Sequence, residues 1–415
     1  MPGSIDWPSL AEETAARVAP VWQEVDRRVL ANTARVLAAF QECRVSEYHF
    51  HGSTGYGYGD AGRNTLEAVF ARVFAAERAL VHPSIVSGTH ALAITLLGLL
   101  TPGEELLSPY GAPYDTLEGV IGRSGGPPGS LSSLGISYRQ VDPLPDGTPD
   151  WTAIEQAVNA RTGVVLLQRS GGYSARPALD LAAVGELTAF VRRCKKVQLA
   201  VVVDNCYGEF VEAAEPLAVG ADLIAGSLIK NPGGGLAPAG GYVAGRAGLV
   251  ERAAARLTAP GLGGAVGPAP GGWRLHFQGL FQAPHAVGEA LKGAVFTACL
   301  AQALGLVSRP AWDTPRTDII QAVDLGRPEL VQAFCRGLQS HSPVDAHVVP
   351  EPGPLAGYGG PVIMAAGTFV QGASLELTAD APFRPPYTVY LQGGLALAHV
   401  RLAVQGALQA VLELL

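Results

Sequence analysis

Charged residues are scarce: they make up 16% of the chain, against roughly 25% in an average globular protein. With 48% hydrophobic residues beside them, such a composition buries enough apolar surface to offset its ordering entropy, and intrinsic disorder is excluded. Basic residues are in the minority, the formal net charge being −7; a nucleic-acid partner calls for a basic stripe, so none is expected. Cysteine is sparse too, with Cys43, Cys194, Cys206, Cys299 and Cys335 widely spaced and no C-x-x-C among them. That pattern argues against a disulfide framework or a zinc ribbon and fits a reducing compartment. No apolar run approaches the ~20 residues of a membrane-spanning helix, and the segment from Met1 to Trp7 has neither the basic nor the apolar part of a secretory signal. A cytoplasmic protein with no membrane partner is the expectation. No cluster of Asp or Glu suggests a metal cage, since hard cations want several oxygen ligands. What abounds is glycine, 52 residues, and proline, 31, with no fixed period; this excludes collagen and implies many turns.

Residues 8–43 carry apolar side chains at near-helical spacing among Glu, Arg and Gln, which predicts a long N-terminal helix. A Gly/Tyr-rich stretch over 52–62 ends this arm. Short apolar runs then alternate with helical ones. The candidate strands are 79–82, 105–108, 137–141, 164–168, 199–204, 223–226 and 241–244; the clearest helices between them are 89–100, 150–160 and 179–194. Several of the runs are Val/Ile/Leu-rich, as strands buried on both faces are. The expected fold is therefore α/β: a three-layer, doubly wound, mostly parallel seven-stranded sheet with a smaller C-terminal α+β domain. A glycine-rich loop at 258–272, a long helix at 284–306 beginning on Pro284, and an amphipathic helix from about 395 complete the reading. The expected division is an N-terminal arm (1–50), a large domain (51–290) and a small domain (291–415).

Ligands of such sheets bind beyond the carboxyl ends of the strands, and four features fall there. Ser87-Gly88-Thr89-His90 opens a helix; small residues at a helix N-terminus leave amides free for an anion, although Ser87 or Thr89 also reads as an ordinary N-cap. Tyr110 or Tyr114, after the second strand, offers a ring to a planar ligand. Asp204 closes an apolar strand, where a carboxylate needs a cation or hydrogen-bond donors, and it alternatively caps the Asn205–Tyr207 turn. Lys230 ends the next apolar run in Ser227-Leu228-Ile229-Lys230-Asn231-Pro232-Gly233-Gly234-Gly235. There, beside a flexible glycine run, desolvation is expected to lower its pKa as a Schiff-base lysine requires. Asp204 and Lys230 are 26 residues apart, room for one intervening helix and strand. In this order the four features match the parts of a pyridoxal 5'-phosphate (PLP) site: phosphate on a helix N-terminus, a stacking aromatic, a carboxylate for the ring nitrogen and a lysine for the aldehyde.

The chain resembles the fold-type-I PLP enzymes of the cystathionine-lyase superfamily, and within them the methionine gamma-lyase-like, or aluminium resistance, branch. The resemblance rests on His51-Gly52-Ser53-Thr54-Gly55-Tyr56-Gly57-Tyr58-Gly59-Asp60, Ser87-Gly88-Thr89-His90-Ala91, Pro113-Tyr114-Asp115-Thr116-Leu117-Glu118, and Val203-Asp204-Asn205-Cys206-Tyr207-Gly208-Glu209-Phe210. It continues through the Lys230 segment, the stretch 283–294 and the stretch 367–374. It implies Lys230 as the Schiff-base lysine and Asp204 as partner of the pyridinium. It also implies Ser87, Gly88, Thr89 and Ser227 around the phosphate, and Tyr114 as the stacking ring and a candidate proton donor. In the wider superfamily a Tyr-x-Arg pair reaches the phosphate from a neighbouring subunit; here the stretch is Tyr56-Gly57-Tyr58, without the basic member. A Ser-x-Thr-Lys context is likewise changed to Ser227-Leu228-Ile229-Lys230, with one hydroxyl fewer. Arg384 of the small domain is the expected partner of the substrate carboxylate, since a guanidinium meets a carboxylate bidentately. The resemblance implies a carbon–sulfur lyase for methionine, cystathionine or cysteine, working by α-proton abstraction and β- or γ-elimination as a homodimer or homotetramer. The alternatives are an aminotransferase, or a PLP-binding homologue with a regulatory or stress role and no significant turnover.

Overall fold

The computed structural model describes residues 5–123, 126–174, 176–194, 199–355 and 357–415. Seven strands form the larger sheet: β1 (Arg78–His82), β2 (Glu105–Ser108), β3 (Ser137–Gln140), β4 (Thr162–Gln168), β5 (Ala200–Asp204), β6 (Leu223–Ser227) and β7 (Gly241–Gly245). Their spatial order is β1-β7-β6-β5-β4-β2-β3. From β3 to β6 every pairing is parallel, and only β7 runs antiparallel to its neighbours β6 and β1. Alternate strand residues divide between two cores, as the two-residue period of a strand demands. Val165, Leu167, Val201, Val203 and Ile224 enter one, while Val164, Leu166, Val202, Leu223 and Ala225 enter the other.

Helices cover both faces, which gives three layers. The long α1 (Trp7–Glu42) and α2 (Ala61–Val73) belong to the first core, and α3 (Gly88–Leu99) and α4 (Asp115–Ile121) to the second. Next, α5 (Trp151–Ala157) and α6 (Leu181–Cys194) join the first core, and α7 (Ala247–Leu257) the second. The thirty-residue α8 (Arg274–Ala303) runs from the first core into the smaller, C-terminal unit. There β8 (Val307–Arg309), β9 (Ile320–Asp324), β10 (Val362–Ala365), β11 (Thr378–Pro382) and β12 (Thr388–Gln392) make an antiparallel sheet ordered β10-β11-β12-β9-β8. It packs on α9 (Pro328–Ser340) and α10 (Leu397–Leu412) through Phe334, Leu338, Val389, Val404 and Leu408. Among the described residues no helix is long and apolar enough to cross a membrane.

Two local expectations are corrected. Pro284 does not begin α8 but lies inside it, ten residues past its first residue, Arg274. Proline lacks the amide that would bond the carbonyl four residues back, and the tertiary packing of this helix outweighs that loss: Ala283, Pro284, Ala286 and Val287 are all buried. The glycines after Lys230 are not a flexible run either. Gly233 and Gly234 are buried, and a Cβ on Gly234 would stand 2.2 Å from the Gly279 carbonyl oxygen of α8. Glycine is needed there because two backbones meet, and the contact holds the segment bearing Lys230 against a rigid helix.

Under β6 the core holds an acid. Glu209 is fully buried, and its Oε1 accepts the Tyr242 hydroxyl at 2.8 Å. Burial, reinforced by the charges of Glu215 and Asp204, pushes its carboxyl up to about 8 despite that hydrogen bond. The folded protein thus keeps a proton that the unfolded chain releases near the ordinary carboxylate value of about 4.3. The stability this contributes is complete below the unfolded value and is lost as pH rises through about 8. Glu209→Gln is expected to remove that slope, so urea midpoints at pH 5 and pH 9 should lie closer together in the variant than in the wild type. Equal slopes in the two proteins would show that Glu209 is ionised throughout.

Candidate active site

The carboxyl ends of the central strands converge with the start of α3. Ser87, Gly88, Thr89, Tyr114, Asp204, Ser227 and Lys230 all line one cavity of about 260 Å³. Ser87 caps α3, its Oγ accepting the His90 amide at 3.0 Å. The amides of Gly88 and Thr89 belong to the first turn, where a helix offers no internal acceptor. A Cβ on Gly88 would stand 3.2 Å from Cys206 Sγ and 3.5 Å from Ser227 Cβ, so the floor of the cradle is tight. Tyr114 is held at both ends: its amide donates to Gln168 Oε1 at 2.7 Å and its hydroxyl to Thr89 Oγ1 at 3.0 Å. Tyr110, the other candidate ring, points its hydroxyl at the Gly147 carbonyl and does not line the cavity.

Asp204 is 3% exposed and accepts the Cys206 amide at 3.1 Å. Burial raises its carboxyl above the usual range, although Cys206, Lys230 and Arg176 all pull it down. A further cation placed against it would be strongly favoured. Tyr114 is pushed up by burial and by the Asp204 charge, so its phenol stays protonated and is a donor rather than a base. Lys230 departs from expectation. Burial does pull its ammonium down, but Tyr207, Cys206 and Asp380 more than compensate, and the net direction is upward. Its Nζ donates to the Tyr207 hydroxyl at 2.5 Å and to Ser374 Oγ at 3.2 Å, and lies 3.9 Å from the centre of the Tyr207 ring. In this state the lysine is a charge held in place.

Tyr207 is the main residue that sequence reasoning passed over, because Asn-Cys-Tyr-Gly reads as a turn. Its φ of 71° is the sign of its role. A bulky side chain rarely adopts that conformation, and such strain collects at functional sites. The small unit supplies the rest: Ser374 on Lys230, and Gln392, Ile320 and Tyr358 in the cavity wall. Behind them Asp380 Oδ2 accepts both the Tyr173 hydroxyl and the Gln392 amide at 2.8 Å. Three other expected residues are not brought to the cavity. Tyr56 and Tyr58 are 73% and 66% exposed, their rings 5.6 Å apart. Arg384 is exposed in the short connection between β11 and β12, its amide bonded to the Pro382 carbonyl and its carbonyl to the Tyr387 amide. So short a turn leaves the guanidinium in solvent.

A buried carboxylate, first-turn amides and an anchored tyrosine ring around one lysine suit a flat ligand that carries a phosphate and a protonatable ring nitrogen. The mostly parallel sheet and its strand-end cavity place the chain among proteins of the fold-type-I class. It belongs to the methionine gamma-lyase family, whose model matches residues 8–412. The chain is 48% identical over 404 residues to the uncharacterized protein YnbB of Bacillus subtilis, covering 97% of this chain and 96% of that one. It is 45% identical to a carbon–sulfur lyase involved in aluminium resistance from Clostridium novyi, with a TM-score of 0.92 over 97% of this chain and 95% of that one. The pyridoxal-5'-phosphate-dependent protein YhfS of Escherichia coli shares the fold at 18% identity, with a TM-score of 0.61 over 94% of this chain and 97% of that one.

Proposed function

We propose that the protein is a PLP-dependent carbon–sulfur lyase acting on a sulfur-containing amino acid. The observation that carries this reading is the meeting of Lys230 and Asp204, from the ends of adjacent strand connections, in one cavity with the N-terminus of α3. The family and the Clostridium relative support it. The phosphate would be held by the Gly88 and Thr89 amides with the Ser87 and Ser227 hydroxyls, the ring by Tyr114, and its nitrogen by Asp204. When bound, the cofactor supplies an electron sink for negative charge on the substrate Cα. Asp204 holds a proton on the ring nitrogen by remaining ionised beside it. Lys230 Nζ, in its neutral form, would take the α-proton; such a positioned base is worth about 10²–10⁴-fold. Tyr207 and Ser374 keep that nitrogen in place. Tyr114, which stays protonated, would give its proton to the departing sulfur. The carbon–sulfur bond breaks, the sulfur leaves as a thiol, and the remaining fragment hydrolyses to a 2-oxo acid and ammonia.

The test is incubation of the PLP-loaded protein with methionine, cystathionine and cysteine. Thiol, ammonia and 2-oxo acid are expected without an added acceptor; product formed only when a 2-oxo acid acceptor is supplied would mean transamination instead. The exposed Tyr56 and Tyr58 fit a surface covered by a second copy of the chain, as a homodimer or homotetramer in the cytoplasm would provide. A monomer by light scattering would remove that part of the proposal.

A further inference from the structure

Tyr207 reaches Lys230 from a turn that is under strain. The Gly208 amide closes the turn by donating to the Asn205 carbonyl at 2.9 Å, and its third residue, Tyr207, has a φ of 71°. Glycine ordinarily fills that place, because a Cβ crowds the backbone there. The 2.5 Å contact between the Tyr207 hydroxyl and Lys230 Nζ therefore depends on whatever keeps the turn from relaxing. Arg169 supplies that restraint. It follows β4 directly, its amide donating to the Asp204 carbonyl at 3.1 Å and its carbonyl accepting the Leu179 amide at 2.7 Å, so its backbone is fixed on both sides. Its side chain is fully buried. Nη1 donates to Asn205 Oδ1 at 2.9 Å and to the Gly208 carbonyl at 2.8 Å, and so holds the first and last residues of the turn with one nitrogen.

The guanidinium is itself anchored. Its Nη2 donates to Glu212 Oε2, and Glu215 Oε2 lies 3.6 Å from Nη1 while also accepting Asn205 Nδ2 at 3.0 Å. From the far side Arg35 of α1 pairs with Glu215 at 3.2 Å, which ties this acidic partner to a long helix. Glycine at 208 lets the arginine approach: a Cβ there would stand 2.4 Å from Arg169 Cδ. Arg169 does not line the cavity and touches no reacting group. A buried ion pair adds little to stability beyond what packed apolar side chains would give, so stability alone does not account for a guanidinium laid across a strained turn. We propose that Arg169 is a positioning residue: by clamping Asn205 and Gly208 it holds Tyr207 in its left-handed conformation and thereby sets where Lys230 Nζ stands. Its part in catalysis rests on the lyase reading; the clamp on the turn does not.

The experiment uses Arg169→Lys, Tyr207→Phe and the double variant. Lysine keeps a cation facing Glu212 and Glu215 but lacks the planar fork that spans two acceptors. In the PLP-loaded protein each single change is expected to lower kcat by roughly tenfold to a hundredfold, as loss of a hydrogen bond to a charged group implies, with KM little changed. The double variant should be no slower than Tyr207→Phe, because residues that act through one another do not add. Without substrate, the pH midpoint of the visible absorbance of the PLP-loaded protein should move in the same direction in both single variants and no further in the double. In the cofactor-free protein, hydrogen exchange read by mass spectrometry should be faster in Arg169→Lys over residues 205–211 and unchanged in β4 and β5. That local loosening upholds the clamp even if no sulfur amino acid is cleaved and the lyase reading fails. Should Arg169→Lys not fold, Gly208→Ala, which leaves every charge in place and pushes the arginine off the turn, carries the same comparisons. Unchanged exchange over 205–211, an unmoved absorbance midpoint, or losses of activity that multiply in the double variant would overturn the proposal.

Discussion

On the proposed lyase reading, Lys230→Ala is expected to abolish thiol release from sulfur amino acids while the protein remains folded. Loss of the positioned base alone removes about 10²–10⁴-fold, and the variant also lacks the amine to which the cofactor aldehyde attaches. The fold survives because Lys230 stabilises no element of the core. Its contacts are the hydroxyls of Tyr207 and Ser374, which already lie 3.4 Å apart and can bond each other when the amine is gone. Circular dichroism and a melting curve verify the fold, and a coupled assay for 2-oxo acid verifies the loss. Retention of a tenth or more of the activity would place the base elsewhere.

Asp204→Asn produces the second largest effect, and its signature differs. The variant keeps the shape and an acceptor for the Cys206 amide but loses the charge. A hydrogen bond to an ionised partner is worth about 1.5–3 kcal/mol, which corresponds to roughly a ten- to hundredfold fall in kcat/KM. Stability moves the other way. Burial already raises the Asp204 carboxyl in the free protein, so replacing it with a neutral amide is neutral or stabilising without cofactor. A slower and no less stable variant identifies Asp204 as a residue kept for chemistry. A variant equally slow but several degrees less stable would mean that Asp204 serves the fold.

Much of the large sheet was legible in the sequence, for a reason visible in β4, β5 and β6. Strands buried on both faces must be apolar throughout, so runs such as Leu199-Ala200-Val201-Val202-Val203 stand out, and their ends mark Asp204 and Lys230 without any tertiary information. The Ser87-Gly88-Thr89 turn was legible because the chemistry of a helix start is local. What escaped the sequence depends on distant packing. Ser374 meets Lys230 across 144 residues and Asp380 meets Tyr173 across 207, and no pattern along the chain announces such pairs. Arg316 sits among Pro310, Pro315 and Thr314, a stretch that reads as loop, where an arginine is usually solvated; its burial appears only once β9 is in place. Arg384 illustrates the converse, a basic residue between prolines whose two-strand turn carries it outward. Pro284 shows that a residue which usually starts helices is tolerated inside one when the helix is buried along much of its length.

In the proposed chemistry one amine carries the cofactor. The chain has four lysines, Lys195, Lys196, Lys230 and Lys292, and Lys292 is tied to Asp26 and Glu289. Borohydride reduction of the PLP-loaded protein, followed by proteolysis and peptide mass spectrometry, reads directly which of them carries the cofactor. A phosphopyridoxyl group on the peptide containing Lys230, stoichiometric with the chain, is the predicted result. Labelling of Lys195, Lys196 or Lys292 in its place, or no labelled peptide at all, would contradict it.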